Sequence, residues 1–190
     1  MQNIIIDYFQ TVSNNFEALK NESKNIEIAT DIIINALTNK NKIIFCGNGG
    51  SAGDSQHLAA ELMGRYKKDR LPLPAIALTV DTSALTAIGN DYGYEKVFSR
   101  QLEGIGKQGD VLVCITTSGK SQNVIEAAKS AIKMGIETIC LTGNVETELT
   151  KLSSCNIKVS STETNHIQEM HIAVGQLICG LVENHFFKDR

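Results

Sequence analysis

Residues 43–54, IIFCGNGGSAGD, place a short apolar run directly before a glycine-rich segment, and residues 111–121, VLVCITTSGKS, place another before a hydroxyl-rich segment. Both apolar runs contain β-branched side chains and have the length of a buried strand. A helix is predicted after each polar segment. The two stretches therefore predict two strand–loop–helix units, with a glycine loop at residues 47–53 and a serine loop at residues 116–121.

Three further apolar runs extend this pattern outward, at residues 75–80, 138–141 and, more weakly, 156–160. Helical periodicity lies between the later runs, for example at residues 124–134. Strands that alternate with helices at this spacing indicate parallel βαβ units, because a parallel pair requires a long crossover. We expect one doubly wound α/β domain, a flavodoxin-like three-layer sandwich with a parallel sheet.

Both ends of the chain carry helical periodicity. Residues 1–40 predict two amphipathic helices separated by a polar break at residues 21–25, which form an N-terminal helical extension. Residues 164–187 predict a long closing helix that contains two glycines. We therefore interpret residues 1–190 as a single domain, with residues 41–190 as its α/β core.

Composition excludes several classes of function. The formal net charge is −3, so no basic excess favours nucleic acid. No run approaches the ~20 apolar residues of a membrane span, and the first residues lack the pattern of a signal peptide. The five cysteines are isolated and odd in number, which favours free thiols in a reducing compartment over disulfides or a cysteine metal site. We expect a cytoplasmic protein without nucleic-acid or membrane partners.

The two loops have the chemistry of an anion site. In open parallel sheets, ligands bind beyond the carboxyl ends of the strands, where both loops are expected. Glycines allow the backbone to approach an anion, hydroxyls donate hydrogen bonds, and helix N-termini favour negative charge. The glycine loop matches neither the Walker A motif nor GxGxxG. Glycine at a strand–helix turn is common without a function, but two such loops favour a phosphate monoester, bound by Thr117, Ser118 and Ser121.

A second pattern, His57-x-x-x-Glu61, lies on the helix that follows the glycine loop. The i, i+4 spacing places both side chains on one helix face, which suits a metal pair or an acid–base pair. Such a pair is often only a surface contact. Its position directly after an anion-suited loop favours a functional role.

Longer motifs resemble the bacterial phosphoheptose isomerases, which are sugar isomerase (SIS) domains. They are GNGGSA at 47–52, QHLAAELMGRY at 56–66, DTSALTAIGNDYG at 81–93, TSGKS at 117–121 and IQEMH at 167–171. The resemblance extends from about residue 40 to the end of the chain. It implies an SIS fold and the interconversion of sedoheptulose 7-phosphate with D-glycero-D-manno-heptose 7-phosphate, a step that supplies heptose for lipopolysaccharide or capsule.

The resemblance also implies the roles of individual residues. Phosphate contacts would come from Thr116, Thr117, Ser118 and Ser121. Sugar contacts would come from Asn48, Gly49, Gly50, Ser51, Asn90 and Asp91, together with Glu61 and Gln168. The metal or catalytic positions would be His57, Glu61 and Gln168. Family members are typically homotetramers with active sites between subunits and often bind zinc, so we expect both here.

One position departs from the family pattern. The family has a histidine, assigned as acid–base catalyst and metal ligand, five residues after the position of His171, where this chain has Gln176. A neutral amide cannot act as general base, although its oxygen can bind a metal. Glu61 is then the remaining ionisable base of the family set. On a regular helix Gln168 and Gln176 lie ~12 Å apart, so a shared ion would require an irregular helix or two chains.

Two other functions are compatible with the same fold. A non-catalytic relative regulates replication initiation by binding a protein, but both its catalytic glutamate and histidine are replaced, whereas this chain keeps Glu61. A sugar-phosphate sensor would bind the ligand without turnover, but such sensors usually carry a helix-turn-helix module, which this sequence lacks. The change at Gln176 also leaves open a catalytically impaired enzyme.

Overall fold

The computed structural model describes residues 1–188, which include a five-stranded parallel sheet with helices on both faces. The strands are β1 (Ile43–Gly47), β2 (Ala75–Ala77), β3 (Val111–Ile115), β4 (Glu137–Gly143) and β5 (Cys155–Val159). Their spatial order is β2-β1-β3-β4-β5, and every neighbouring pair is parallel. The predicted doubly wound sheet is confirmed, with the flavodoxin-like strand order.

Helices form the two outer layers. They are α1 (Gln2–Ala18), α2 (Ser23–Thr38), α3 (Gly50–Met63), α4 (Thr82–Tyr92), α5 (Val97–Ile105), α6 (Gln122–Lys133), α7 (Glu148–Leu152) and α8 (Thr164–Phe186). The core on one face of the sheet is built with α2, α3 and α8, and the core on the other face with α5, α6 and α7. Successive residues of a strand point to opposite faces, so Phe45 belongs to the first core and Ile44 to the second.

The N-terminal extension differs from the rest of the fold in its burial. Helix α2 buries six side chains against the sheet, whereas α1 buries none. The apolar side chains of α1 are exposed, namely Ile4, Ile5, Ile6, Tyr8, Phe9 and Phe16. Tyr8 donates a hydrogen bond to Glu169 of α8 and lies 4.8 Å from the His166 ring between centroids. Helix α1 therefore presents an unpartnered apolar surface.

Two further properties of the described residues limit the chemistry of the chain. Within residues 1–188 no helix has the length and apolar character needed to span a bilayer. All five cysteines are free thiols and all are buried. Cys46, Cys114 and Cys140 lie side by side in register on three neighbouring strands, with the first two sulfur atoms 3.9 Å apart.

Candidate active site

The two predicted loops leave adjacent strands at the point where the direction of sheet growth reverses. The chain passes from β1 to β2 on one side and from β3 to β4 on the other. Their loops border a crevice at the carboxyl edge of the sheet, which is where open α/β sheets bind ligands. The structure therefore brings both loops to one site.

Close approach of the backbone determines the shape of the glycine loop. A Cβ on Gly47 would lie 2.7 Å from the Ser51 carbonyl oxygen and 2.8 Å from that of Ile115, so a side chain cannot be accommodated. Gly49 has φ +57°, in the region that L-residues avoid, and it starts α3 as the N-cap. A Cβ on Gly50 would lie 2.7 Å from Gln168 Nε2. The loop thus holds Gln168 of α8 directly against the first residue of α3.

The serine loop is closed by its own hydroxyls. Thr116 is buried, and its Oγ1 lies 3.2 Å from Ser121 Oγ. Ser118 is exposed, and its Oγ accepts a hydrogen bond from the Lys120 backbone N–H at 3.2 Å. Ser121 is the N-cap of α6, whose first N–H groups have no acceptor within the helix. The exposed hydroxyls and these N–H groups form a surface suited to a phosphate group.

The side chain of Asn48 joins the two loops. Its Nδ2 donates to Asn123 Oδ1 at 2.8 Å, and its Oδ1 accepts from Asn123 Nδ2 at 2.9 Å. Tyr94 donates its hydroxyl to the same Oδ1 at 3.1 Å. Asn48 was predicted as a sugar contact, whereas Asn123 and Tyr94 were not, because no local pattern links positions this far apart in the chain.

The predicted His57–Glu61 pair converges as expected. His57 Nε2 lies 3.0 Å from Glu61 Oε1, and the side chain of His57 is 48% exposed while that of Glu61 is 18% exposed. The pair therefore opens toward solvent at the histidine and is sheltered at the carboxylate. This geometry allows the two side chains to bind one metal ion or to exchange a proton.

The end of α3 is fixed behind Glu61 by a buried ion pair. Arg70 donates from Nη2 to the Glu61 carbonyl oxygen at 2.7 Å, and from Nε to Glu183 Oε2 at 3.1 Å. Glu183 also accepts hydrogen bonds from the backbone N–H groups of Tyr66, Lys67 and Lys68. Burial by itself would raise the pKa of Glu183, but these N–H groups and Arg70 outweigh it and lower that pKa.

Asp54 is a further carboxylate beside His57 that was not among the predicted site residues. It lies three residues before His57 and seven before Glu61, on the same side of α3. Its Oδ2 is buried and has no hydrogen-bond partner among the described residues. Burial raises the pKa of Asp54, and the neighbouring His57 partly opposes this shift. The i, i+3, i+7 spacing was the sequence signal that could have identified it.

The remaining predicted residues are placed less centrally. Asn90 and Asp91 are exposed at the end of α4, where Asn90 Nδ2 donates to Asp91 Oδ1 at 2.8 Å, just before the turn that carries Tyr94. Gln176 is half-buried on α8, which is helical throughout Thr164–Phe186. Because α8 contains no break, Gln168 and Gln176 lie two turns apart, ~12 Å along the axis.

His171, on the same helix, does not replace the missing histidine. It is 1% exposed, and neither ring nitrogen has a hydrogen-bond partner among the described residues. Burial lowers the pKa of His171 to about 4, although the nearby backbone of Thr142 partly opposes this. The ring is therefore a neutral group beneath the end of β4 rather than a base in the crevice.

A zinc ion would find only part of its usual ligand set in one chain. Residues 1–188 contain no cluster of three or more histidine, cysteine, aspartate or glutamate side chains. The available donors are His57 Nε2 and Glu61 Oε1 on α3, and the amide oxygen of Gln168 on α8, which packs against Gly50 at the start of α3. Tetrahedral zinc sites commonly use four ligands. His57 and Glu61 converge and fit the ion as a pair. Gln168 lies against Gly50, about two turns (~10 Å) earlier along α3, so it completes the set only through a side-chain movement or from another chain.

Comparisons with known proteins identify the family and agree with the fold. The SIS domain family model matches residues 7–143. The phosphoheptose isomerase of Akkermansia muciniphila is 55% identical over 176 residues, which cover 93% of each chain. The structure of phosphoheptose isomerase GmhA from Neisseria gonorrhoeae superposes with a TM-score of 0.91 at 39% identity, covering 96% of this chain and 98% of that one. A phosphoheptose isomerase from Francisella tularensis has a TM-score of 0.92 at 32% identity with the same coverage.

Proposed function

The chain belongs to the phosphoheptose isomerases of the SIS-domain family, and from this membership we propose that it interconverts sedoheptulose 7-phosphate and D-glycero-D-manno-heptose 7-phosphate. One observation carries the proposal: the serine loop and the glycine loop border one crevice, and the helix α3 that follows the glycine loop carries the His57–Glu61 pair. The product would enter heptose supply for lipopolysaccharide or capsule in the cytoplasm.

The serine loop would hold the phosphate. Ser118, Ser121 and Thr117 supply hydroxyl donors, and the N-terminus of α6 adds backbone N–H groups and a favourable dipole. Thr116 already shares a hydrogen bond with Ser121 and would act by keeping the loop closed. With the phosphate fixed at one end, the sugar extends toward the glycine loop and Gln168.

Glu61 would move the proton. Aldose–ketose isomerisation takes a proton from C1 of the ketose or C2 of the aldose and returns it to the other carbon. Gln176 has no lone pair of useful basicity, so Glu61 is the one carboxylate among the predicted catalytic and metal positions His57, Glu61, Gln168 and Gln176. Arg70 holds the Glu61 backbone at 2.7 Å, which keeps the carboxylate in a fixed place relative to the loops.

We include zinc in this proposal, held by His57, Glu61 and Gln168. When bound, it would polarise the substrate carbonyl and stabilise negative charge on the adjacent oxygen. A carboxylate that binds the ion tightly is less available as a base, so the two roles of Glu61 compete. Gln176 lies two turns from Gln168 and would contribute its amide oxygen only to a site shared with a second chain.

A homotetramer with active sites between subunits is part of the same proposal. Helix α1 exposes an apolar surface that a partner would cover. An apolar groove of about 890 Å³ lies between the N-terminal helices and α8, where Leu177 and Leu181 line it. Gln176 precedes Leu177, so a subunit seated in this groove would lie next to the position of the missing histidine. Size-exclusion chromatography with light scattering should show tetramers, and charge substitutions Ile5→Glu and Phe9→Glu should dissociate them.

The test of function is the reaction in deuterated water. Purified protein with sedoheptulose 7-phosphate should form the aldose with deuterium at C2, as observed by NMR. Glu61→Gln should reduce the rate by at least about 100-fold, whereas Glu137→Gln, at an exposed carboxylate at the start of β4, should not. Absence of product from the natural chain would overturn the isomerase proposal. Binding of the sugar phosphate without product would instead support a catalytically impaired enzyme or a sugar-phosphate sensor.

A further inference from the structure

The contact between Asn48 and Asn123 is a reciprocal pair of amides. Each side chain donates one hydrogen bond to the other, at 2.8 and 2.9 Å. Asn123 is 3% exposed, so the pair is protected from water on that side. A buried pair of this kind fixes both side chains, because breaking either bond leaves a desolvated polar group without a partner.

The pair also determines what Asn48 can offer to a ligand. Its Oδ1 accepts from both Asn123 and Tyr94, which uses both lone pairs of that oxygen. Its Nδ2 gives one hydrogen to Asn123, so a single N–H remains. Asn48 can therefore contact a sugar only as a donor to one oxygen, in a direction fixed by Asn123.

Asn123 belongs to both halves of the site. Its backbone lies in the first turn of α6, two residues after the N-cap Ser121 of the serine loop. Its side chain binds the glycine loop at Asn48. A single residue thus connects the segment suited to phosphate with the segment suited to the sugar.

We propose that Asn123 is a positioning residue, which fixes Asn48 relative to the serine loop and so sets the span between the phosphate and the sugar oxygen that Asn48 contacts. The inference rests on the proposed function for its substrate. It goes beyond that function by assigning the alignment of the two loops to one buried amide.

The proposal predicts separate effects on the two ends of the substrate. Asn123→Ala keeps the backbone N–H of α6 but removes both bonds to Asn48. The kcat/KM for sedoheptulose 7-phosphate should fall by about 10- to 100-fold, as expected when a buried polar group loses its partners. The inhibition constant of inorganic phosphate, which needs only the serine loop, should change less than about 2-fold.

A double-mutant cycle tests whether Asn123 acts through Asn48. If it does, Asn123→Ala should lower kcat/KM by less than about 3-fold when Asn48 is already alanine. Full additivity of the two alanine changes would overturn the proposal.

Ser130→Ala is the matched control for loss of stability. Ser130 is also buried on α6, and it donates to Glu103 at 2.7 Å on the side away from the loops. It should lower the unfolding midpoint without changing kcat/KM. Equal losses of phosphate affinity and kcat/KM in Asn123→Ala would show a role in folding the serine loop and would also overturn the proposal.

The positioning role of Asn123 can be tested even if the chain proves not to be an isomerase. If the natural chain has no isomerase activity, calorimetric titration with sedoheptulose 7-phosphate and with inorganic phosphate provides the same comparison. Weaker sugar-phosphate binding with unchanged phosphate binding in Asn123→Ala would still support the positioning role. Unchanged binding of both ligands would refute it.

Discussion

Arg70 and Glu183 form an ion pair with an Nε–Oε2 distance of 3.1 Å, and their side chains are 0% and 2% exposed. Arg70 also donates to the carbonyl oxygens of Glu61 and Leu62, both at 2.7 Å, so it satisfies the carboxyl end of α3. The pair connects the helix of the proposed base to α8. Its integrity therefore affects both stability and the position of Glu61.

Removal of one member of this pair should be strongly destabilising. Arg70→Met leaves the Glu183 carboxylate buried without its counter-charge, and we expect a loss of about 3–5 kcal/mol in the free energy of unfolding. Urea denaturation measures this change. The control Lys20→Met breaks an exposed pair with Glu17 and should cost less than about 1 kcal/mol. Similar losses for the two variants would contradict the assigned role.

Restoring the histidine of the family pattern should strengthen catalysis. Gln176→His places an imidazole with an ordinary pKa of about 6.5 at the position where this chain has an amide. We expect kcat to rise by at least about 10-fold, with a new limb in the pH–rate profile. Thr164→His, at the exposed start of α8, is the control and should give no gain. An unchanged kcat in Gln176→His would show that Glu61 suffices.

Stability should depend on pH through His171. Its pKa is about 4 in the folded chain and 6.5 in the unfolded chain, so the unfolded state binds the extra proton between these values. The contribution of neutral His171 to the free energy of unfolding is therefore fully present above pH 6.5. It is lost as the pH falls toward 4, which lowers the free energy of unfolding by up to about 3 kcal/mol. Unfolding experiments on His171→Leu should show a weaker dependence in this window. An equal slope in both proteins would rule out this source.

Asp54 should destabilise the folded chain while contributing to isomerase activity. Its Oδ2 is buried without a partner, and its pKa is raised, so the charged form is unfavourable in the folded chain. Asp54→Asn should therefore raise the melting temperature at pH 7, and it should reduce isomerase activity because Asp54 neighbours the proposed His57–Glu61 pair. The exposed Asp69→Asn serves as control and should change neither. A lower melting temperature in Asp54→Asn would indicate that the carboxylate is structurally required.

The elements nearest the centre of the sheet were the most predictable. Strands β1 and β3 are continuous apolar runs that end at glycine or threonine, and their predicted positions agree closely with the structure. The second strand was predicted over residues 75–80, but it ends at Ala77. Leu78 still donates to the Phe45 carbonyl oxygen, and the chain then turns into α4, where Asp81 is the N-cap. A strand at the edge of the sheet has one neighbour and is shortened by the turn that follows.

Contacts in the site also differ in how well the sequence predicts them, depending on whether they join neighbouring or distant residues. The His57–Glu61 pair follows from helical spacing, so the sequence predicts it. The Asn48–Asn123 pair and the Arg70–Glu183 pair join residues 75 and 113 positions apart. Neither pair produces a periodic pattern in the sequence, because each depends on how α6 and α8 pack against the sheet. The polar break predicted at residues 21–25 is instead partly a 3₁₀ turn, Leu19–Glu22, that continues the helical path.

The row of buried thiols on β1, β3 and β4 can report local unfolding of the sheet beneath the two loops. Cys46 and Cys114 lie on the strands that carry the glycine and serine loops. The hydrogen bond between their sulfur atoms, together with burial, raises the pKa of Cys114 well above its usual value. A native chain should react slowly with thiol reagents, since the thiolate is the reactive form. The labelling rate of these cysteines would therefore measure how often the sheet separates under the active site, and a bound sugar phosphate should slow it.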